Sequence, residues 1–141
     1  MPLTFAFDTV TNGIATLSRG TISETTGYIA LDHSHHWIIL SFRGTHDIRQ
    51  WINNFGAIPR PVPSLCWSCI VHYGFWTAFQ KAEDIVIKGI KEQQAAHPDY
   101  QVVVVGHSLG GALANLAAVV LRNNGIKADL YTYGYVVLNY W

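Results

Sequence analysis

The chain has 141 residues, of which 50% are hydrophobic, and its nine basic and nine acidic side chains give a formal net charge of zero. That length and apolar content predict one globular domain over residues 1–141 rather than a disordered chain. A neutral chain without basic runs argues against nucleic-acid binding, and no apolar segment reaches the length of a membrane-spanning helix.

The N-terminal 25 residues are rich in Thr, Ser and Gly, and their pattern predicts no clear secondary structure. Residues 1–8 have neither a positive n-region nor a long apolar run, so they are not a convincing secretory signal. Residues 26–43 predict a β-hairpin, with strands at Gly27–Leu31 and Trp37–Phe42.

The turn of this hairpin, Asp32–His36, contains three histidines. Histidines are common metal ligands, so the turn is a candidate metal site. A hairpin tip lacks the further carboxylate or cysteine partners that a closed site needs. We therefore interpret the segment as a polar turn and predict no metal site in the chain.

Residues 47–55 predict a short amphipathic helix. Asp47 is a suitable N-cap, Gly56 ends the segment, and the prolines that follow favour an extended chain. Spacing alone favours packing against the core over a mobile lid, because most apolar helical stripes are buried. The apolar residues that share one face of this helix are Ile48, Trp51, Ile52 and Phe55.

The two cysteines of the chain, Cys66 and Cys69, are three positions apart, and His72 follows three positions after Cys69. A zinc site needs four ligands and the sequence has no second pair, so the pattern is only a partial zinc motif. A redox pair should lead directly into a helix, but Ile70-Val71 intervene. A disulfide and two free thiols both remain compatible with the spacing.

A long amphipathic helix is predicted from Phe75 to His97, and Pro98 marks its end. The residues predicted on its buried face are Phe75, Phe79, Ala82, Val86 and Ile90.

The strongest local signal is the run Val102–Val105 followed by Gly106-His107-Ser108-Leu109-Gly110. The valines predict a buried strand, and the apolar segment Ala112–Leu121 predicts a buried helix. A strand, a Gly-flanked turn and a helix are the context in which Gly-x-Ser-x-Gly forms a nucleophile elbow. A further strand is predicted at Asp129–Gly134, so the order of elements favours a parallel sheet in an α/β fold.

Several of these motifs, in the same order, resemble the class 3 lipases of filamentous fungi in the α/β-hydrolase superfamily. The resemblance covers roughly residues 25–134 and implies a truncated α/β-hydrolase sheet with an N-terminal hairpin, a lid helix and a nucleophile elbow. The matching segments are Thr25–Ala30, Ser41–Thr45, Trp51–Asn54, Cys66–Phe75, His97–Tyr100, Gly106–Ala114 and Tyr131–Gly134.

The resemblance implies a role for each matched position. Ser108 would be the nucleophile, and Thr45 and Leu109 would form the oxyanion hole. Residues 46–55 would be the lid, with Trp51 on its apolar face, which reverses the preference for core packing. The resemblance also implies a disulfide between Cys66 and Cys69. It implies no cofactor, a substrate that is a triacylglycerol or similar lipid ester at an oil–water interface, and secretion.

The chain departs from the family where the rest of the triad is expected. No histidine follows Ser108, and Asp129, the one carboxylate after it, precedes the strand that the family acid follows. His72 and His107 are expected to be structural, with the His107 side chain pointing into the scaffold. We therefore expect an incomplete domain with little turnover. A non-catalytic fragment or pseudoenzyme that binds oily surfaces, a feruloyl-type esterase and an unrelated interaction module are the alternatives.

Overall fold

The computed structural model describes the backbone of residues 7–11, 14–22, 25–44, 49 and 58–133, and side-chain environments for residues 27–44, 49 and 58–133. The strands are β1 (Phe7–Thr11), β2 (Ile14–Ile22), β3 (Thr25–Asp32), β4 (Trp37–Phe42), β5 (Pro59–Pro61), β6 (Ile70–His72), β7 (Gln101–His107) and β8 (Ala128–Tyr133). The helices are α1 (Tyr73–Ala96) and α2 (Leu109–Asn123).

Six of these strands form one mixed sheet in the order β1-β2-β3-β4-β7-β8. The first four strands pair antiparallel, whereas β4, β7 and β8 run parallel. Parallel neighbours need a crossover connection, and α1 and α2 supply one before and one after β7. The carboxyl ends of β4, β7 and β8 therefore meet at one edge of the sheet, where Phe42 pairs with Gly106 and His107 with Tyr133.

The core lies between one face of this sheet and the two helices. Alternate residues of the strands point to that face, as a two-residue period requires. Ile38 pairs with Val102 and Leu40 with Val104, and all four side chains are at most 1% exposed. Phe79 and Ile90 of α1 and Leu113 and Leu121 of α2 are fully buried against them.

The α1 helix confirms the amphipathic pattern of the sequence. The five residues predicted to share its inner face are all buried, although the helix begins two residues earlier and ends one residue earlier than predicted. Its N-cap is His72, whose Nδ1 accepts a hydrogen bond from the Phe75 N–H at 3.3 Å. No helix of the described residues is both long and apolar enough to cross a membrane.

Two parts of the fold were not predicted from the sequence. The N-terminal stretch forms β1 and β2, which extend the sheet beyond the predicted hairpin. The proline-rich segment forms a second small sheet, in which β5 pairs antiparallel with β6. The predicted helix at 47–55 lies outside the described residues, apart from the single position 49.

Candidate active site

Ser108 stands on a sharp bend between β7 and α2. Its φ of 56° and ψ of −122° lie in a region that residues other than glycine rarely adopt. Holding a serine there costs about 1–3 kcal/mol, so the surrounding structure must enforce the bend. The Ser108 hydroxyl makes no capping hydrogen bond to α2, which leaves it available at the carboxyl edge of the sheet.

Backbone hydrogen bonds fix this bend on both sides. The Ser108 N–H donates to the carbonyl of Tyr133 at 3.0 Å, which ties the bend to the end of β8. The Ser108 carbonyl accepts from the N–H groups of Gly111 at 2.9 Å and Ala112 at 3.2 Å, which begins the helix. Ser108 therefore sits between two ordered elements rather than on a free loop.

Gly106 and Gly110 let the strand and helix approach closely. A Cβ at Gly106 would lie 2.7 Å from the backbone nitrogen of Gly111, and one at Gly110 would lie 2.9 Å from the carbonyl carbon of Phe42. Both distances are shorter than real Cβ contacts, so the two glycines are required sterically. The Gly-x-Ser-x-Gly spacing thus has a packing reason as well as a chemical one.

One of the two donors predicted for the oxyanion hole, the Leu109 N–H, adjoins this bend. Leu109 opens α2, so its backbone N–H belongs to the first turn, where helix N–H groups have no acceptor within the helix. Its side chain is buried and holds that turn on the core. Thr45 lies outside the described residues, but the preceding Gly44 is in contact with the bend at Ser108. The predicted lid residues Ile48, Trp51, Ile52 and Phe55 also lie outside them.

The prediction for His107 is wrong in one respect. Its side chain is exposed rather than directed into the scaffold. His107 ends β7 on the face opposite Val102 and Val104, and the described residues do not cover that face at this point. Among the described residues, no imidazole is hydrogen-bonded to the Ser108 hydroxyl.

His72 and Asp129 are engaged elsewhere. His72 is 3% exposed, stacks on Phe75 with ring centroids 4.2 Å apart, and caps α1. Burial lowers the pKa of His72 below its usual value of 6.5, which favours the neutral ring. Asp129 pairs across from Val103 near the amino ends of the strands, and its carboxylate accepts a hydrogen bond from Gln101. Strand length thus separates Asp129 from Ser108.

The two cysteines form a disulfide, with their Cα atoms 5.1 Å apart. It closes the turn between β5 and β6. The bonded pair leaves no thiolate for zinc, and it leads into β6 rather than directly into a helix, which argues against a redox pair. No group of three His, Cys, Asp or Glu side chains in the described parts of the chain is arranged to hold a metal ion.

The histidines of the β3–β4 turn hold that turn against the loop after α1. The His33 Nδ1 lies 2.6 Å from the Tyr100 hydroxyl, and the His36 ring stacks on Tyr100 at 4.9 Å. His35 Nδ1 lies 2.7 Å from Asp32 Oδ2, and this hydrogen bond is the main cause that lowers the pKa of Asp32. The cluster lies at the amino ends of β4 and β7, opposite the edge that carries Ser108.

Comparison with known proteins places these features in context. The family model described as "Lipase (class 3)" matches residues 39–137. The chain is 44% identical over 117 residues to the "Secreted mono- and diacylglycerol lipase A" of Penicillium cyclopium, and 38% identical over 115 residues to the "Secreted mono- and diacylglycerol lipase 1" of Fusarium solani. Each match covers 82% of this chain, but only 38% and 34% of the two relatives.

Solved structures agree with the sequence matches. The mono- and diacylglycerol lipase from Aspergillus oryzae superposes with a TM-score of 0.78 at 39% identity, over 86% of this chain and 46% of the other. The chain thus spans less than half the length of the relatives that it matches.

Proposed function

The chain belongs to the class 3 lipase family, with an α/β-hydrolase fold, and we propose that it is a lipid-ester hydrolase whose nucleophile is Ser108. The observation that carries this proposal is the strained bend at Ser108, where a hydroxyl with no capping bond stands at the start of a buried helix. A structural serine at a helix start would ordinarily cap the helix instead.

In the proposed reaction, the Ser108 Oγ attacks the acyl carbonyl of the ester. The backbone N–H groups of Thr45 and Leu109 bind the resulting oxyanion, and each such donor is worth about 3–4 kcal/mol of transition-state stabilisation. Collapse of this intermediate releases the alcohol and leaves an acyl group on Ser108, and water then releases the carboxylic acid. Both steps need a general base for the hydroxyl or water proton.

We infer that no such base comes from the part of the chain that the structure describes. The sequence contains no histidine after Ser108, and His72 is engaged as a buried helix cap. We therefore propose that the 141 residues alone bind an ester and stabilise its oxyanion but turn it over slowly. Without the base, the remaining acceleration would come from the oxyanion hole and binding alone, roughly 10³–10⁴-fold over water in the serine proteases.

The relatives support a proposal for the substrate class and the location. The names of the Penicillium and Fusarium proteins describe secreted lipases of mono- and diacylglycerols, and we extend acylglycerols and secretion to this chain as a proposal. Segment 46–55 would serve as the lid that contacts an oily surface, since its sequence carries an apolar stripe with Trp51 at the centre. No cofactor takes part in this scheme.

A phosphonylating reagent for serine hydrolases tests the nucleophile directly. We expect prolonged incubation to place one adduct on Ser108, located by peptide mass spectrometry, and the Ser108→Ala variant to lose it. Ser64 and Ser68, on the disulfide turn, provide internal controls that should stay unmodified. An adduct spread over several serines, or absent from Ser108, would refute the proposal.

A further inference from the structure

The turn between β5 and β6 carries a tryptophan that the fold leaves in solvent. Trp67 is 97% exposed, whereas Trp76 is 9% exposed and Trp37 is half-buried. Ile70, at the start of β6, is 42% exposed. Burial of this indole against a partner would remove its apolar surface from water, which is energetically favourable.

The segment around Trp67, residues 61–71, contains no charged side chain. Arg60 precedes it and His72 follows it. Removing charges from water is the main cost of placing a protein surface in an apolar medium, and this segment avoids that cost. Its composition therefore suits an apolar partner better than a charged one.

The backbone of the same segment also satisfies many of its own polar groups. The Val62 N–H donates to the Cys69 carbonyl at 2.9 Å, and the Cys69 N–H donates to the Cys66 carbonyl at 3.2 Å. The Val62 carbonyl in turn accepts from Leu65 at 2.9 Å and from Cys66 at 3.4 Å. A backbone segment enters a lipid phase at low free-energy cost when its polar groups are hydrogen-bonded internally in this way.

The segment is held rigidly on the body of the protein. Val62 and Leu65 are each 5% exposed, and the Leu65 carbonyl accepts a hydrogen bond from the Asn123 side chain at 2.7 Å. The disulfide closes the turn that presents Trp67. A surface fixed in advance loses little conformational entropy on binding.

The position of the segment separates it from the nucleophile. Asn123 is the last residue of α2 and Ser108 immediately precedes the first. A 15-residue helix is about 22 Å long, so the point where Leu65 is attached lies about that far from the bend at Ser108.

We propose that residues 61–71 form a lipid-surface anchor, with Trp67 and Ile70 entering an uncharged lipid–water interface. This inference rests on the proposed function, because it takes the lipid surface to be the place where the enzyme works. The anchor is distinct from segment 46–55. The anchor would hold the chain on the lipid surface whether or not segment 46–55 moves.

Binding to phosphatidylcholine vesicles tests the anchor. All variants carry Ser108→Ala, so that hydrolysis does not alter the vesicles. We expect Trp67→Ala to lower the vesicle partition coefficient about tenfold, as loss of a largely buried indole implies. The matched control is Tyr131→Ala, which removes an aromatic side chain that is 53% exposed on β8 and should leave the partition coefficient unchanged.

Two further measurements make the test decisive. The vesicle partition coefficient should change little with salt concentration, because residues 61–71 carry no charged side chain. Sedimentation velocity without lipid should show the same oligomeric state before and after Trp67→Ala. Equal partition of the parent and Trp67→Ala would overturn the proposal, and so would a Trp67-dependent change of oligomeric state, which would identify a second copy of the chain as the partner. The phosphonate adduct on Ser108 reports the proposed function separately.

Discussion

Gly44 lies directly against Ser108: a Cβ at Gly44 would stand 3.5 Å from the Cβ of Ser108 and 2.6 Å from the His107 carbonyl oxygen. The chain leaving β4 therefore passes over the bend that carries Ser108. Because the obstructing oxygen belongs to the backbone, a side chain at position 44 could be accommodated only by moving the two segments apart. Thr45, the proposed oxyanion donor, follows immediately in the sequence.

The first prediction concerns this contact. Gly44→Ala should slow phosphonylation of Ser108 about tenfold or more, because it displaces one proposed oxyanion donor, and loss of such a donor in a protease costs 10²–10³ in rate. Labelling rates followed by mass spectrometry measure the effect. Gly89→Ala in α1 is the matched control, since its new methyl group would meet only the flexible end of Ile29. Equal labelling rates in both variants would show that the Gly44 contact is irrelevant to the site.

The second prediction concerns strain at the nucleophile. Ser108→Gly should be more stable than Ser108→Ala by about 1 kcal/mol, because glycine adopts a positive φ without a steric penalty. Urea denaturation of the two variants measures this difference. The same pair of substitutions at Ser68, on the disulfide turn, should show no such gain. A Ser108→Ala variant that is the more stable of the pair would mean that the bend is not strained.

The third prediction concerns His72 and pH. Burial lowers the pKa of His72 in the folded state, so the unfolded chain binds more protons as the pH falls through about 6.5. Stability should therefore decrease on acidification in that range, by at most about 1.4 kcal/mol per pH unit from this one group. His72→Asn keeps a capping oxygen for the Phe75 N–H but cannot titrate, so it should reduce the slope.

Urea denaturation from pH 7.5 to pH 5.0 measures that slope. His97→Asn is the matched control, because it removes a histidine from the other end of α1 and leaves the His72 cap intact. If the His72→Asn and parent slopes coincide, burial of His72 does not control stability in this range.

The fourth prediction concerns the aromatic contact that joins α1 to the sheet. Phe79 is fully buried, with its ring 6.5 Å from that of Phe42 and 6.1 Å from that of Trp76. Phe79→Ala should lower the free energy of unfolding by about 3–5 kcal/mol, because it leaves a cavity in the core. Tyr73→Ala, at the exposed start of the same helix, should cost much less. Similar losses in the two variants, again by urea denaturation, would contradict the packing described above.

The sequence predicted the elements whose signals are local. Four consecutive valines, a Gly-flanked serine and an uncharged apolar run specify β7, the bend and α2 without reference to the rest of the chain. The 3.6-residue spacing of Phe79, Val86 and their neighbours likewise specified the buried face of α1. These elements carry the candidate site, which is why Ser108 could be proposed as its nucleophile from sequence alone.

The features that the sequence did not predict depend on how strands pair and on what covers the faces of the sheet. β1 and β2 lack a clear two-residue alternation, and their strand form comes from pairing, of β2 with β3 and of β1 with β2. Prolines argue against strands, yet Pro59 and Pro61 are tolerated in a two-stranded edge pair. The exposure of His107 depends on what covers the far face of the sheet, which no local pattern can show.

We propose that Ser108 is a positioned nucleophile to which the residues described by the structure offer no general base. Hydrolysis of a water-soluble chromogenic ester by the parent chain and by Ser108→Ala, each with and without free imidazole, tests it most directly. We predict equal, very slow rates without imidazole and a Ser108-dependent increase when imidazole supplies the missing base. Full Ser108-dependent turnover without imidazole, or no Ser108-dependent increase with it, would contradict the claim.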